Sequence, residues 1–508
     1  MRYVIGCDVG SQSVKAIILS EQGEIVAEAS SDYPIEYPQP TWAQQEARDW
    51  EKATNEAIAR VVQESGVSKE AVLAIGIDAQ VDGVVAVDSA GTPLHPAIIW
   101  MDRRAVAQTE SVKQSFSEKE IFDLSGLNLD PYHVAPKIRW LADEVPQVFE
   151  QAHYFLMPGS YIAHYLSGEV GIDYSNASSM LLMDIRQREW SARLCEIFDI
   201  PPDRLPPIYP ANHVLGTLKR ELAEQMGLSP KTLIVLGCGD EHAACLGAGV
   251  IRPGMVCDIT GTAEPVCAVA EKPVFDESGL VETHCHAHPD YWLLENPGFV
   301  SGGNYRWFRD HFGKAEIEIA RTQAVEAYQL LDRLAEDVPA GSEGLILLPC
   351  LMGSVTPTWN AATRGVFLGF SLTHTRAHFA RAVLEGSAYG LRDIVDRMKE
   401  IGLTIEEIRA VGGGARSPLW RQIKADVTGF PVALTQTVET TALGAAILAL
   451  NGAGLTQTLD EACDLCVKVV ETRYPQAQNA AIYNRRYQTY RAAYFALLPV
   501  FEEAARNP

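Results

Sequence analysis

The chain has 508 residues, 47% of them hydrophobic, and a formal net charge of −23. At roughly 100–200 residues per domain, this length predicts two or more lobes, each able to bury a core. The acidic balance, without any long Lys/Arg run, excludes a nucleic-acid surface, and no apolar run approaches the ~20 residues that span a bilayer.

The opening MRYVIGCDVG lacks the basic segment and cleavage site of a secretory leader, so none is expected. Of the ten cysteines, Cys7, Cys257, Cys267 and Cys350 sit in apolar surroundings and read as buried free thiols of a cytoplasmic protein. Cys463 and Cys466 form a CxxC without a second ligand pair, which reads as helix packing.

In chain order, strands come first. Val4–Cys7 and Val14–Leu19 flank a polar turn, Glu21–Gly23 makes the next turn, and Ile25–Ala29 returns. Ala47–Ser65 has helical patterning, and AVLAIGIDAQ at 71–80 reads as a buried strand ending in polar residues. After a Gly-rich stretch, Leu236–Gly254, the pattern restarts. Met255–Asp258, Pro265–Val269 and the segment HCHAHPDYWLLE at 284–295 read as successive strands. Arg376–Glu400 is helical, with Val383, Leu384, Leu391, Ile394, Val395 and Met398 on one face. Ile408–Gly412 is a short strand ending in three glycines, and Thr440–Leu450 is a small-residue helix. A duplicated α/β lobe is the simplest account, with lobes at 1–246 and 247–508. No low-complexity linker separates them, so a direct interface is expected.

Each half opens with one phrase: CDVGSQSVK at 7–15 and CDITGTAEPV at 257–266. A Gly/Ser/Thr turn between strands points backbone N–H groups into one small cavity and lets a phosphate approach closely. Ser11, Ser13 and Thr262 add hydroxyl donors. Two such turns suit a polyphosphate gripped from both sides, with Asp8 helping to hold Mg²⁺ through water. Neither a GxxxxGK[ST] loop nor a strand-linked GxGxxG competes. Asp240, in GCGDEHAA after an apolar run, is placed to project into an interlobe cleft. Phosphoryl transfer needs positioning, charge neutralisation and a base for the attacking hydroxyl, and one Asp meets the last need. A helix-capping Asp fits the sequence equally well.

With these residues in view, the chain resembles the FGGY carbohydrate kinases of the actin/hexokinase/Hsp70 (ribonuclease H-like) superfold, and xylulokinases among them. YHVAPKIRWLADE at 132–144 follows the family's first signature apart from Val134, and GVFLGFSLTHTRAHFARAVLE at 365–385 fits the second throughout. GGGARSPLWRQIKADVTGFPV and ETTALGAA resemble its adenosine-binding segments. The resemblance implies two α/β lobes around an active-site cleft, ATP and Mg²⁺ as cofactors, a small-molecule sugar as partner, and a homodimer. It makes Asp240 the catalytic base and Asp8 the Mg²⁺-associated acid, with both acids near the metal. Gly10, Ser11, Gln12, Ser13, Gly261 and Thr262 become phosphate-loop residues, and Gly412, Gly413, Gly414 and Ser417 lie at the adenosine.

On the sugar side the resemblance implies Gln80, Val81, Asp82, Trp100, Asp102, Tyr132 and Glu241 as substrate contacts. Here the chain departs from the xylulokinase pattern. Asp82 replaces a usual His, and an ionised carboxylate only accepts hydrogen bonds whereas His can donate. Asp82 and the run Asp130-Pro131-Tyr132 stand nearer the glycerol-kinase pattern, and Glu241 replaces a usual Asn. Trp100 also reads as a core aromatic, and Asp102 beside Arg103 and Arg104 as a solvated ion pair. His284, His286 and His288 fall on one strand face, but no carboxylate completes a metal set. Three functions stay open: a D-xylulose kinase, a kinase for glycerol, another polyol or another ketose such as ribulose, and a nucleotide switch or filament protein of the same superfold.

Overall fold

The computed structural model describes residues 1–437 and 439–506. Two large mixed sheets organise it. The first contains β1 (Tyr3–Val9), β2 (Ser13–Ser20), β3 (Ile25–Asp32), β4 (Val72–Ala79), β5 (Val214–Thr217) and β6 (Leu233–Gly239). Their spatial order is β5-β6-β4-β1-β2-β3. The second contains β7 (Gly254–Ile259), β8 (Ala263–Ala270), β9 (Glu282–Cys285), β10 (Trp292–Val300), β11 (Ile405–Val411), β12 (Val432–Thr435) and β13 (Val469–Arg473), in the order β9-β10-β8-β7-β11-β12-β13.

The two sheets repeat one plan. Each opening strand, β1 or β7, pairs antiparallel with its hairpin partner and parallel with a strand that arrives much later, β4 or β11. A second parallel strand and an antiparallel edge strand follow on that side in both. Only β9 has no counterpart. This is the duplicated actin/hexokinase/Hsp70-type lobe. The central strands YVIGCDV and VLAIGIDA are almost wholly buried, as helices on both faces require.

One face of the first sheet is covered by α1 (Ala47–Ser65), which buries Trp50, Ala53, Ala57, Ile58 and Val61. Further helices that matter below are α2 (Val134–Glu144), α3 (Asp240–Gly247), α4 (Arg376–Glu400), α5 (Pro418–Thr428), α6 (Thr441–Gly452) and α7 (Leu459–Cys466). All six apolar residues expected on one face of α4 are buried. The CxxC lies on α7, with Cys463 buried beside Leu246.

The other face of the first sheet receives α6, a helix from the second half. Its side chains share one core with Val4, Leu19, Ala74 and Val235. The approach is too close for side chains. A Cβ on Gly76 would lie 2.1 Å from the Ala445 carbonyl oxygen, and one on Gly444 2.0 Å from that of Ala243. The halves therefore meet directly, through interlocked helix and sheet.

Residues between β4 and β5 build a second apolar core around Ile98, Ile138, Leu141, Phe155 and Phe198, which also includes Cys285 of β9. The HCHAHP segment differs from its sequence reading. Only His284 is in a strand, because the chain turns at 286–291 between β9 and β10. Pro289 and Asp290 suit that turn. The three imidazoles therefore take separate partners: Ser179 near His284, the Val250 carbonyl at His286, and Asp460 at His288.

Candidate active site

Adjacent strands β1, β4 and β6 bring three acidic side chains together at their C-terminal ends. The register pairs Asp8 with Asp78, and Asp78 with Cys238, two residues before Asp240. Asp240 is the first residue of α3 rather than its cap, and its Oδ1 accepts from the Glu241 amide at 2.9 Å. Asp8 Oδ2 accepts from Thr441 Oγ1 at 2.6 Å, so α6 of the second half reaches into the site. Lys15 Nζ lies 3.1 Å from Glu439 just before it.

Burial raises the Asp8 carboxyl above its usual range, although Thr441 and Lys15 oppose it. Burial, then the charges of Glu241 and Asp8, push Asp240 well up. Asp78 is wholly buried, and neither of its oxygens has a hydrogen-bond partner. Burial and the two neighbouring acids push it well up too. A bare buried carboxylate is costly, so this cluster demands protons or a cation. Its hard oxygen donors fit Mg²⁺. Among the described residues no three acidic or imidazole groups could enclose a bare ion. A cation here would therefore keep part of its water shell.

Both turns are closed by a glycine amide, over three residues in the first and two in the second. Gly10 N donates to Ser13 O at 3.1 Å, and Gly261 N to Ala263 O at 2.9 Å. The first turn is propped from below. Tyr33 donates to the Gly10 carbonyl, Gln45 Nε2 to Ser11 O at 2.8 Å, and Gln80 Nε2 to Gln45 Oε1 at 2.9 Å. The second is pinned by a buried lysine, Lys424 of α5. Its Nζ lies 2.6 Å from Asp258 Oδ2, 2.6 Å from Thr260 Oγ1 and 3.1 Å from Glu264. Gly414 N donates to Thr260 O at 3.0 Å, which lays the Gly412–Gly414 run against this turn. Nothing stands within 4 Å of where a Gly413 side chain would begin. That leaves an open face for a flat ligand.

The sugar side draws on both halves. Asp82 has φ +54°, and its Oδ1 lies 3.1 Å from His133 Nδ1. On the ring's other side, Glu282 of β9 stands 3.9 Å from Nε2 and accepts from Tyr132 Oη at 2.9 Å. Burial alone would lower His133, but Asp82 and Glu282 lift it to about 9. Burial likewise opposes ionisation of Glu282, yet His133 takes it down to about 2. Lys137 Nζ donates to the carbonyls of Asp82 at 2.6 Å and Ile99 at 2.9 Å, and burial holds it down at about 7. Burial raises the carboxyls of Glu241 and of Glu295 of β10, the latter well up, and Glu295 lies 3.7 Å from His284.

Several sequence-singled residues are turned inward. Gln80 braces the first turn and is fully buried, and Val81 packs on the inserted core. Asp102 is not a solvated ion-pair member. Its carboxylate accepts from Ala43 N at 2.6 Å, Arg104 N at 2.7 Å and Arg104 Nε at 2.9 Å, with both side chains at 0% exposure. The Ser417 hydroxyl caps α5 by accepting from Trp420 N at 3.0 Å. Trp100 is not a core aromatic: it is 42% exposed and donates to Ser11 Oγ at 2.8 Å. Gln12, Gly261 and Thr262 are exposed at their turns.

Sequence reasoning missed Asp78, His133, Glu282, Glu295, Thr441 and Lys424. Asp78 had a signal, an acid closing an apolar strand as Asp8 does. The others are joined only by tertiary contact.

Comparison with known proteins agrees with this architecture. The FGGY family of carbohydrate kinases matches through its N-terminal domain over residues 3–247 and its C-terminal domain over 258–453. The chain is 29% identical to a xylulose kinase of Bacillus subtilis (strain 168) over 494 residues, 97% of each chain. It is 31% identical to a gluconokinase of the same strain over 465 residues, 91% of this chain and 90% of the other. The crystal structure of a xylulose kinase from Rhodospirillum rubrum superposes with a TM-score of 0.89 at 29% identity, over 99% of this chain and 100% of that one. Duplicated lobes, paired turns and matches across both halves together make the chain a member of the FGGY family, an ATP-dependent carbohydrate kinase that uses Mg²⁺.

Proposed function

We propose that this kinase transfers the γ-phosphate of ATP to the terminal hydroxyl of a ketopentose, D-xylulose first, to give D-xylulose 5-phosphate. The observation that carries this is Asp240 at the head of α3, beside Asp8 and one residue from the acceptor-side acids. The relatives named xylulose kinase, aligned over nearly the whole chain, support the choice of sugar. The acceptor side belongs mainly to residues 1–246 and the nucleotide side to 247–508, with Glu282 reaching across to Asn128 and Tyr132. The enzyme works in the cytoplasm on small molecules, as a homodimer.

In this reading Asp240 takes the proton of the acceptor hydroxyl as its oxygen attacks, and its raised proton affinity makes it a stronger acceptor for that proton. Asp8, held by Thr441, faces the phosphates with Asp240, where Mg²⁺ bound through water would neutralise charge. The turn amides at Gly10–Ser13 and Gly261–Thr262 orient the phosphates, and Gly412–Gly414 supports the adenosine. Closure of the cleft excludes water as a competing acceptor.

A second reading, a kinase for another ketose or a polyol, is favoured by one observation. Asp82 stands where the xylulokinase pattern has a His, and it is bound to His133. Measuring kcat/KM for D-xylulose, D-ribulose, L-ribulose, L-xylulose, glycerol and erythritol decides between them. D-xylulose should rank first, and a higher value for glycerol or erythritol would replace it.

A further inference from the structure

The strand without a counterpart in the first sheet, β9, is stitched to the first half of the chain. Thr283 N donates to the Gly126 carbonyl at 2.9 Å, and Cys285 N to Ser178 Oγ at 3.0 Å. A Cβ on Gly126 would lie 2.5 Å from the Thr283 carbonyl oxygen, so this approach needs a glycine. These bonds fix the place of Glu282, the first residue of the strand, which is 3% exposed.

The Glu282 side chain takes three hydrogen bonds from the first half. Its Oε1 accepts from Asn128 N and Asn128 Nδ2, each at 3.0 Å, and its Oε2 accepts from Tyr132 Oη at 2.9 Å. His133 Nε2 stands 3.9 Å away. Although burial opposes ionisation, His133 takes the carboxyl down to about 2, so Glu282 is a carboxylate and only accepts. A phenol has one O–H and two lone pairs. With its proton turned to Glu282, Tyr132 offers only lone pairs to a further partner.

Tyr132 is half-buried, and its neighbours belong to the acceptor side. Arg103 lies 4.9 Å from its ring centre, three residues past Trp100, which donates to Ser11 of the first turn. His133 is bound to Asp82. Val81, beside Asp82, packs against the residue before Asp240, since a Cβ on Gly239 would lie 2.5 Å from Val81 Cγ1.

We propose that Glu282 is a positioning residue that fixes the polarity of Tyr132, so that the phenol oxygen receives a hydrogen bond from an acceptor hydroxyl and cannot give one. The inference rests on the kinase reading above, with Tyr132 as a substrate contact, and adds a selection rule to it. The substrate must carry a hydroxyl at that point. A fluorine or an ether oxygen there sets two acceptors face to face. Glu282→Gln reverses the polarity with little change of shape. The two Asn128 donors hold the amide oxygen, so the amide N–H faces the phenol oxygen and frees its O–H to donate.

The test measures kcat/KM and both KM values on wild type, E282Q and Y132F. The substrates are the best acceptor among the ketoses and polyols named above and its monodeoxyfluoro analogues. In wild type, fluorine at one position other than the phosphorylated hydroxyl should cost about ten-fold or more in kcat/KM. E282Q and Y132F should narrow that loss to about three-fold or less, while the KM for ATP holds. A merely structural contact would raise the acceptor KM and leave the ranking of the analogues as it was. If E282Q melts well below wild type, Y132F carries the comparison, because it leaves the Asn128 and His133 contacts of Glu282 in place. A wild type that loses nothing to fluorine at any position overturns the inference, and so does an equal loss in wild type and variants. Narrowing in Y132F but not in a folded E282Q removes the role of Glu282. Transfer to none of the acceptors overturns the function proposed above, and this inference with it.

Discussion

At the residue scale, Asp240 and His133 carry the sharpest expectations. Asp240→Asn keeps the shape and removes the base. Its kcat should fall by about 10²–10⁴ or more with ATP affinity little changed, measured by turnover and by nucleotide titration. Near-normal turnover would remove Asp240 from the mechanism. His133 makes stability depend on pH. Its folded value of about 9 exceeds the unfolded 6.5, so the stabilisation is fully present below pH 6.5 and is lost as pH rises through about 9. The size is on the order of 3 kcal/mol. Glu282 acts at the other end, contributing above pH 4.5 and losing its contribution as pH falls toward about 2. Urea midpoints followed from pH 6 to 9.5 should drop in wild type, and Asp82→Asn should flatten that alkaline slope. Parallel curves would mean that Asp82 does not hold the imidazolium. Asp8, Asp240, Asp82 and Glu241 were all visible as chemistry-bearing residues in the sequence. Glu282 and Glu295 were not, because single acids in apolar strands carry no local mark of what faces them.

At the element scale, the two turns are supported differently. The first rests on neutral hydrogen bonds from Tyr33, Gln45 and Gln80. The second rests on a buried ion cluster, Lys424 with Asp258 and Glu264. Lys424→Met leaves two acids buried without their cation, and should cost about 3–5 kcal/mol in urea unfolding. Because Lys424 also holds Thr260, the KM for ATP should rise in the fraction that folds. An unchanged urea midpoint would show that the cluster is not the turn's support. Gly444→Ala places a methyl 2.0 Å from the Ala243 carbonyl, so α6 must shift. Overpacking there should cost about 1–3 kcal/mol, read as a lower melting temperature. The hairpins, α1 and α4 were legible in sequence because period-2 and period-3.6 patterns are local. The 284–295 segment was misread because a turn at Pro289 and Asp290 interrupts a run whose apolar content alone looks like continuous strand.

For the whole molecule, the topology repeat in the two sheets is the strongest sign of duplication, and it places α6 of one half on the sheet of the other. Family membership sets aside the reading as a switch or filament protein. The kinase should consume ATP only slowly without acceptor, and adding a ketopentose should raise consumption in step with sugar phosphate formed. Rapid acceptor-independent hydrolysis would argue against closure as the guard against water. Small-angle scattering should show a smaller radius of gyration with acceptor and a non-hydrolysable ATP analogue together than with either alone. The sequence by itself determined the duplicated α/β plan, the paired glycine-bearing turns and the acids that follow the strands, because these depend on short-range periodicity and turn chemistry. Only the tertiary structure decided which groups face one another. It set Asp78 between the strands that carry Asp8 and lead to Asp240, His133 between two acids, Lys424 beneath the second turn and Glu282 against Tyr132. Those pairings join residues up to hundreds of positions apart, and burial, which gives them their electrostatic weight, exists only once the two halves have closed on each other.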